Sequence, residues 1–243
     1  MTANSQLISV KIVQGLMRKS ASALLFNLNW LKLFFSVLNG DFVKRMFDIV
    51  FALLMLTIFS PLYLTLMILV ALNSQGPIFY VQQRIGKNHQ PFYCIKFRTM
   101  IDDADQALET IMQDSDQMRE EFQASFKLKQ DPRITKIGKF LRLTSLDEFP
   151  QFWNVLKGEM SVVGPRPLVP EELPRYGRKI NTVLKIKPGI TGLWQVSGRN
   201  DIPYPKRVKI DVYYATSHNW LLDLWIVYKT IGVILFPRNN GAY

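Results

Sequence analysis

Two adjacent carboxylates, Asp147 and Glu148, lie in the stretch DPRITKIGKFLRLTSLDEFPQFWNVLKGEMSVVGPRP, among Arg133, Lys136, Lys139, Arg142 and Arg166. Acids inside a cationic frame suit a site that binds phosphate and does chemistry on it. One carboxylate can attack phosphorus, and its neighbour can orient it or handle a proton. A carboxylate approaching a diphosphate meets like charge, which Mg²⁺ and arginines neutralise. For that task the chain offers Lys96 and Arg98 in KFRTM, Arg142, Arg166 in GPRP and Arg199 in GRN. Arginine's planar fork matches phosphate oxygens. Taken singly, each of these cations reads as an ordinary surface charge. Gly164-Pro165 before Arg166 and Gly198 before Arg199 set those two in tight loops, where side chains can converge.

The acids need elements to hold them. Thr144-x-x-Asp147 and Ser145-x-x-Glu148 are overlapping capping boxes, for which plain helix capping is the simpler role. Pro150 is tolerated only in a first helical turn, so a helix is expected to start near Asp147 and run over 148–157. A helix start would lower the Asp147 pKa and favour phosphate oxygens nearby. Upstream, RITKIGKFLRL (133–143) has the spacing of a short cationic amphipathic helix. IFYVQQRIG and PFYCIKFRTM read as two strands joined by a turn around Gly86–Asn88. A helix is expected over 102–125, an extended loop from Gly164 to Pro174, and a Pro-Gly turn with a short strand within 181–198. Helices over 206–217 and 220–236 close the chain. The second carries Trp220, Trp225 and Tyr228 and reads as lying in a membrane interface. The fold class is α/β, helix-rich.

The 243 residues carry a formal charge of +11, which calls for an anionic partner: nucleic acid, an anionic membrane face or a phosphorylated substrate. The charge is uneven. Residues 102–121 hold eight acids and one base, and read as a solvated helix face. The single cysteine, Cys94, excludes an internal disulfide and a Cys-based zinc site. His89 and His218 are too isolated for a His-rich metal site. No helix-turn-helix, zinc finger or RNP-like motif is present, so nucleic acid is the weakest of the three partners.

Residues 46–72, MFDIVFALLMLTIFSPLYLTLMILVAL, are a 27-residue apolar run, longer than the roughly 20 residues that cross a bilayer. Ser60-Pro61 interrupts it near the middle, and basic residues flank both ends: Lys44 and Arg45 before, Arg84 and Lys87 after. Proline breaks a helix interior, and the flanking charges keep both ends on the cytoplasmic side. A helix–break–helix hairpin satisfies both features, with arms of about 12 residues, roughly 18 Å, too short to span. A kinked spanning helix is the alternative. The Ser60 hydroxyl is placed to satisfy a carbonyl freed by the proline. Asp48 is expected to stay at the interface or pair with Lys44 or Arg45. No cleavable signal peptide is evident, and residues 21–38 read as a surface-lying amphipathic helix.

The stretches KRMFDIV, Ser60-Pro61, QQRIGKN, IKFRTM, the long run through SLDE to GPRP, KPGITGLWQVSGRN and the closing GAY resemble the bacterial sugar transferase family. This is the family of monotopic phosphoglycosyl transferases, which includes the polyprenyl-phosphate hexose-1-phosphate transferases. The resemblance covers residues 44–243. It implies transfer of a sugar 1-phosphate from a UDP-sugar to undecaprenyl phosphate, with release of UMP, at the start of exopolysaccharide, capsule or O-antigen synthesis. It implies that Asp147 is nucleophile and Mg²⁺ ligand, that Glu148 is its partner, and that a phosphosugar ester forms on Asp147. Lys96, Arg142 and Arg199 match the family's phosphate-site cations, and Arg166 lies in its GPRP loop. The family's membrane element is a re-entrant helix broken at Ser-Pro. The domains expected are thus an N-terminal amphipathic extension (1–43), a re-entrant helix (44–75) and a cytoplasmic catalytic domain (76–243) on the inner membrane of a bacterium. Phe149 and Phe152 replace leucines usual near the acid pair, a change expected to alter packing rather than chemistry. The extension is too short for the multi-helix membrane domain of larger members. A homodimer stays open. The competing function is a membrane-surface module that grips anionic lipid head groups without catalysis.

Overall fold

The computed structural model describes residues 40–125, 128 and 130–235. The chain divides into a unit of residues 1–45 and a unit of residues 46–243. The expected amphipathic helix over 21–38 and the closing GAY lie outside the described residues.

The apolar run forms two helices, α1 (Asp41–Ile58) and α2 (Ser60–Asn73), bent by 66° at the break between them. Pro61 falls in the first turn of α2, where its missing N–H costs little. Its absence would orphan the Thr57 carbonyl, and the Ser60 hydroxyl donates to that carbonyl at 2.8 Å. Among the described residues no single helix is long and apolar enough to cross a membrane, whereas the bent pair together is, by length and composition. One side of the pair buries Ala52, Leu66 and Val70 in the main core. Aromatic contacts continue from there: Phe51 on Phe152 at 6.1 Å, Tyr63 on Phe97 at 5.2 Å, and Phe59 and Tyr63 on Phe149, each at 5.9 Å. The other side exposes Leu53, Leu54, Ile58, Leu64, Ile68 and Leu72. Asp48 does not stay at an interface. It is buried, and accepts hydrogen bonds from the Ser161 hydroxyl and the Val162 N–H, both at 2.9 Å. A carboxylate removed from water needs such donors.

The two expected strands form an antiparallel hairpin, β1 (Phe79–Ile85) and β2 (Pro91–Phe97), registered from Phe79↔Phe97 to Ile85↔Pro91. Its turn passes through Asn88 and His89, both left-handed. Alternation along β2 puts Lys96 on the same face as the buried Phe92 and Cys94. The helix expected over 102–125 is two helices, α3 (Ala104–Asp114) and α4 (Asp116–Ser125). The break falls at Ser115, whose hydroxyl accepts the Met118 N–H as an N-cap does. Nothing in α3 is buried, in keeping with its acidic composition.

The cationic helix is α5 (Lys136–Thr144), capped by Thr135, whose side chain accepts the Gly138 N–H at 2.9 Å. Gly138 lies so close to the Thr99 carbonyl that any Cβ would collide with it, which seats α5 directly on the end of KFRTM. After the acid pair comes α6 (Gln151–Lys157). Buried Asn154 bolts it to β2, donating to the Tyr93 carbonyl at 2.7 Å and accepting the Ile95 N–H at 3.1 Å.

Next, β3 (Ser161–Val163) pairs in parallel with β4 (Gly189–Thr191). The chain bends at Gly164 and Pro165, bridges to Ile85 at Leu168, and then tightens into a 3-10 turn (Pro170–Glu172) and α7 (Leu173–Tyr176). Short helices α8 (Ile180–Val183) and α9 (Leu193–Val196) flank β4. The long helices α10 (Tyr204–Ser217) and α11 (Trp220–Leu235) follow. The Tyr214 hydroxyl donates to the Asp223 carboxylate at 2.6 Å and lies 3.2 Å from the Val163 carbonyl, tying both helices to β3. The outer side of α11 exposes Leu221, Trp225, Tyr228, Ile231 and Leu235. The described residues make a helix-rich α/β fold with two small sheets of two strands each.

Candidate active site

The acid pair is presented by a chain reversal rather than by a helix start. Ser145 ends α5 in the left-handed conformation (φ 60°), and its N–H donates to the Arg142 and Leu141 carbonyls. A 3-10 turn, Leu146–Glu148, follows at once. The expected capping boxes are absent, because an N-cap residue needs an extended backbone and Ser145 is already committed to the αL turn. Thr144 also points back, donating to the Phe140 carbonyl at 2.8 Å. Helix α6 begins only at Gln151, behind Pro150. A left-handed serine is uncommon and carries strain. Arg199, facing Ser145, is left-handed too (φ 49°). Its guanidinium donates to the Ser145 hydroxyl at 3.0 Å.

Four of the five expected cations gather around this turn. Lys96 donates to Glu148 Oε1 at 2.7 Å, and the Arg166 guanidinium stands 4.0 Å from the same oxygen. Arg199 approaches through Ser145. Arg142 donates from Nε to the Thr99 hydroxyl at 2.9 Å, so its charge is steered by the KFRTM segment beside Asp147. Arg98 goes elsewhere. It is buried, donates to the Ser74 carbonyl at 2.7 Å and lies 3.9 Å from Asp102, closing the end of α2 rather than joining the phosphate cations. Lys96 lies within β2, whereas Arg98 follows its last residue, Phe97, and reaches the end of α2.

The two acids differ. Glu148 is held down to about 2: burial pushes it up, but Lys96 above all, then Arg166 and Arg199, outweigh that. Asp147 is pushed up to about 6, by burial first and by the Glu148 charge, against Lys96, Arg142 and Arg166. The expected lowering of the Asp147 pKa is therefore reversed, since no helix N-terminus begins there. Among the described residues no hydrogen bond or ion pair reaches the Asp147 carboxylate. Both acids keep a partly open side, 25% for the Glu148 side chain, so a ligand can approach.

No three His, Cys, Asp or Glu side chains converge among the described residues. A divalent cation here would find one unengaged carboxylate, Asp147, with substrate phosphates and water to complete its shell. Mg²⁺ is commonly bound in that way, so the donor set fits it.

Sequence reasoning missed Arg84 and Glu172. Arg84 read as a flanking charge, yet it is buried in β1 and donates to the Pro167 carbonyl, next to Arg166, at 3.1 Å. Strand alternation with Gln82 hints at a shared face, but nothing local says that the face is inward. Glu172 lies 3.5 Å from Arg207 and 4.0 Å from Arg84, partners too distant in sequence for any spacing rule.

A family model described as "Bacterial sugar transferase" matches residues 39–237. The chain is 46% identical over 204 residues to the exopolysaccharide production protein ExoY of Sinorhizobium fredii, covering 84% of this chain and 89% of that one. It is 48% identical over 207 residues to the undecaprenyl-phosphate galactose phosphotransferase of Salmonella typhimurium, covering 84% and 42%. It is 47% identical over 205 residues to the UDP-galactose-lipid carrier transferase of Erwinia amylovora, covering 84% and 42%. The chain thus spans less than half the length of the last two relatives. The match across residues 39–237 places this chain in the bacterial sugar transferase family of enzymes.

Proposed function

We propose that the chain transfers a sugar 1-phosphate from a UDP-sugar to undecaprenyl phosphate through a covalent intermediate on Asp147, and so initiates a surface or exopolysaccharide. The carrying observation is the asymmetry of the acids: Glu148 is engaged by Lys96 and Arg166, while Asp147, beside it, has no partner among the described residues. The relatives' names supply the substrate classes.

In the first step an Asp147 oxygen bonds to the sugar-bearing phosphorus. The bridging P–O bond breaks, and UMP leaves with the electron pair, needing no proton at neutral pH. In the second step a phosphate oxygen of the lipid attacks the same phosphorus, and the Asp147 carboxylate departs. Lys96 and Arg166 keep Glu148 ionised and fixed, while Arg142 and Arg199 offset the charge of the diphosphate. Mg²⁺, when bound, adds charge neutralisation at the phosphates. Burial raises the Asp147 pKa, while Lys96, Arg142 and Arg166 favour the ionised form that a nucleophile needs.

The lipid acceptor calls for a membrane site. The 66° bend, the lack of any single described helix both long and apolar enough to cross, and the outward leucines and isoleucines of α1 and α2 support a re-entrant hairpin entering from the cytoplasmic face. The exposed Trp225, Tyr228 and Ile231 of α11 support a helix lying in the interface. The test is UMP release from a panel of UDP-hexoses and N-acetylated UDP-sugars, in vesicles containing undecaprenyl phosphate. Release from at least one donor is expected. Vesicle binding with no UMP from any donor would leave the lipid-binding module as the answer.

A further inference from the structure

Arg166 sits between two prolines, and the carbonyl of each is gripped by a different element. The Gly189 N–H of β4 donates to the Pro165 carbonyl at 2.8 Å. The Arg84 guanidinium of β1 donates to the Pro167 carbonyl at 3.1 Å. One residue further on, the Ile85 N–H donates to the Leu168 carbonyl at 2.9 Å. Proline itself has no N–H, so the loop on either side of Arg166 can be held only through its carbonyls. The other arm of the Arg84 fork donates to Gln82 Oε1 at 2.5 Å. Both NH groups of the fork are thus committed, and its direction is set.

Arg84 is buried near a second positive charge, Arg166; burial first, and then the Arg166 charge, lowers the Arg84 pKa. Glu172 offsets this. Its carboxylate lies 4.0 Å from Arg84 and 3.5 Å from Arg207, and feels the Arg166 charge as well. It also accepts the Val169 N–H at 3.2 Å, so this counter-charge is attached to the loop it balances.

We propose that Arg84, with Gln82 and Glu172 behind it, is a positioning residue that aims Arg166 at the acid pair. It touches neither acid nor substrate. It acts by fixing the Pro167 carbonyl just after Arg166, whose guanidinium stands 4.0 Å from Glu148. The hairpin then serves the site twice: β2 carries Lys96 to Glu148 directly, and β1 carries Arg84 to the loop that brings Arg166. The inference rests on the proposed phosphoryl transfer only for its kinetic readout.

The test is a double-mutant cycle on the rate of UMP release, using the donor that gives most UMP in the panel above. Arg84→Lys keeps the buried charge beside Glu172 but loses the fork, and misaiming Arg166 should slow release by about 100-fold, the scale of a misplacement near 1 Å. In an Arg166→Ala background the same change should cost less than about 3-fold, because there is nothing left to aim. Equal losses in both backgrounds would mean that Arg84 merely stabilises the fold, and would overturn the proposal. Gln82→Leu, which frees one arm of the fork, gives the same comparison with a milder loss if Arg84→Lys does not fold. A crystal structure of Arg84→Lys reads the claim without turnover. Arg166 should leave its place beside Glu148, and an unmoved Arg166 overturns the inference even for a chain that releases no UMP.

Discussion

Two clusters in this chain are built from the same parts and differ in how their acids are bonded. One is the acid pair, Asp147 and Glu148, with Lys96, Arg142, Arg166 and Arg199. The other is the set Glu172 and Asp211, with Arg84, Arg207 and Tyr176. Each holds one acid pulled down by cations against its burial, Glu148 and Glu172, and one pushed up to about 6 by burial, Asp147 and Asp211. In the second cluster the raised acid is satisfied. Asp211 is 1% exposed, accepts the Tyr176 hydroxyl at 2.7 Å, and has the Arg207 guanidinium 3.8 Å away. Arg207 itself lies over the rings of Trp194 and Tyr204, at 4.6 and 5.0 Å. In the first cluster the raised acid is open and unbonded among the described residues. A raised carboxyl pKa therefore does not mark a nucleophile by itself. What separates the two raised acids is geometric: Asp211 is bonded by Tyr176, whereas Asp147 has no bonded oxygen among the described residues and keeps an open side.

Removing the raised acid in each cluster breaks the comparison most sharply. Asp147→Asn should lower UMP release by at least about 10⁴-fold, the scale of losing a nucleophile, with little change in melting temperature. Asp211→Asn should do the reverse, costing about 1–3 kcal/mol of stability in thermal unfolding while leaving turnover per folded molecule nearly intact. Equal turnover losses would mean that the clusters are not functionally distinct.

Lys96→Met should come next, at about 100-fold in release rate, because Glu148 loses its 2.7 Å partner and competes with Asp147 for a proton. The pH profile of that variant should shift upward, whereas simple misfolding would lower the rate without moving the profile.

The two raised acids also predict different pH signatures. Release from UDP-sugar should rise with pH through about 6 as Asp147 loses its proton, if measured before Mg²⁺ is added to saturation. For Asp211 the folded pKa lies above the unfolded value of 3.8. Its contribution to stability is therefore fully present below that value and lost as pH rises through about 6. Unfolding free energies of wild type and Asp211→Asn should accordingly diverge in favour of wild type as pH falls from 7 towards 4. Parallel curves would show that Asp211 titrates normally.

The smallest effect is expected at the aromatic contact between the hairpin bend and the acid turn. Phe149→Leu, which trims contacts to Phe59 and Tyr63, should cost under about 1.5 kcal/mol and change release by less than about 3-fold. A large rate loss would show that the bend helps to set the acid turn.

Much of this site is legible in the chain. Asp147 and Glu148 are visible as adjacent acids in a basic stretch, Arg166 and Arg199 because they adjoin proline and glycine, and Lys96 and Arg142 through the family's motifs; the Ser60-Pro61 break is visible because proline removes a known donor. What hides is whatever depends on direction. A Ser before an acid reads equally as an N-cap or as an αL turn, and the backbone angle at Ser145 decides. Lys96 and Arg98 look like a pair, but Lys96 reaches Glu148 while Arg98 reaches the Ser74 carbonyl at the end of α2. Asp48 and Arg84 look like interfacial charges, but their partners, Ser161 and Pro167, lie 113 and 83 residues away. No spacing rule reaches that far.

The most direct measurement of the central claim is order of addition. Purified chain is mixed with Mg²⁺ and an accepted UDP-sugar, without undecaprenyl phosphate, and then examined by intact-protein and peptide mass spectrometry while UMP is counted. Up to one UMP per active site is expected, with a hexose-phosphate adduct on the peptide bearing Asp147 that is discharged when the lipid is added. Release that begins only once both substrates are present, with no adduct at any time, would contradict it.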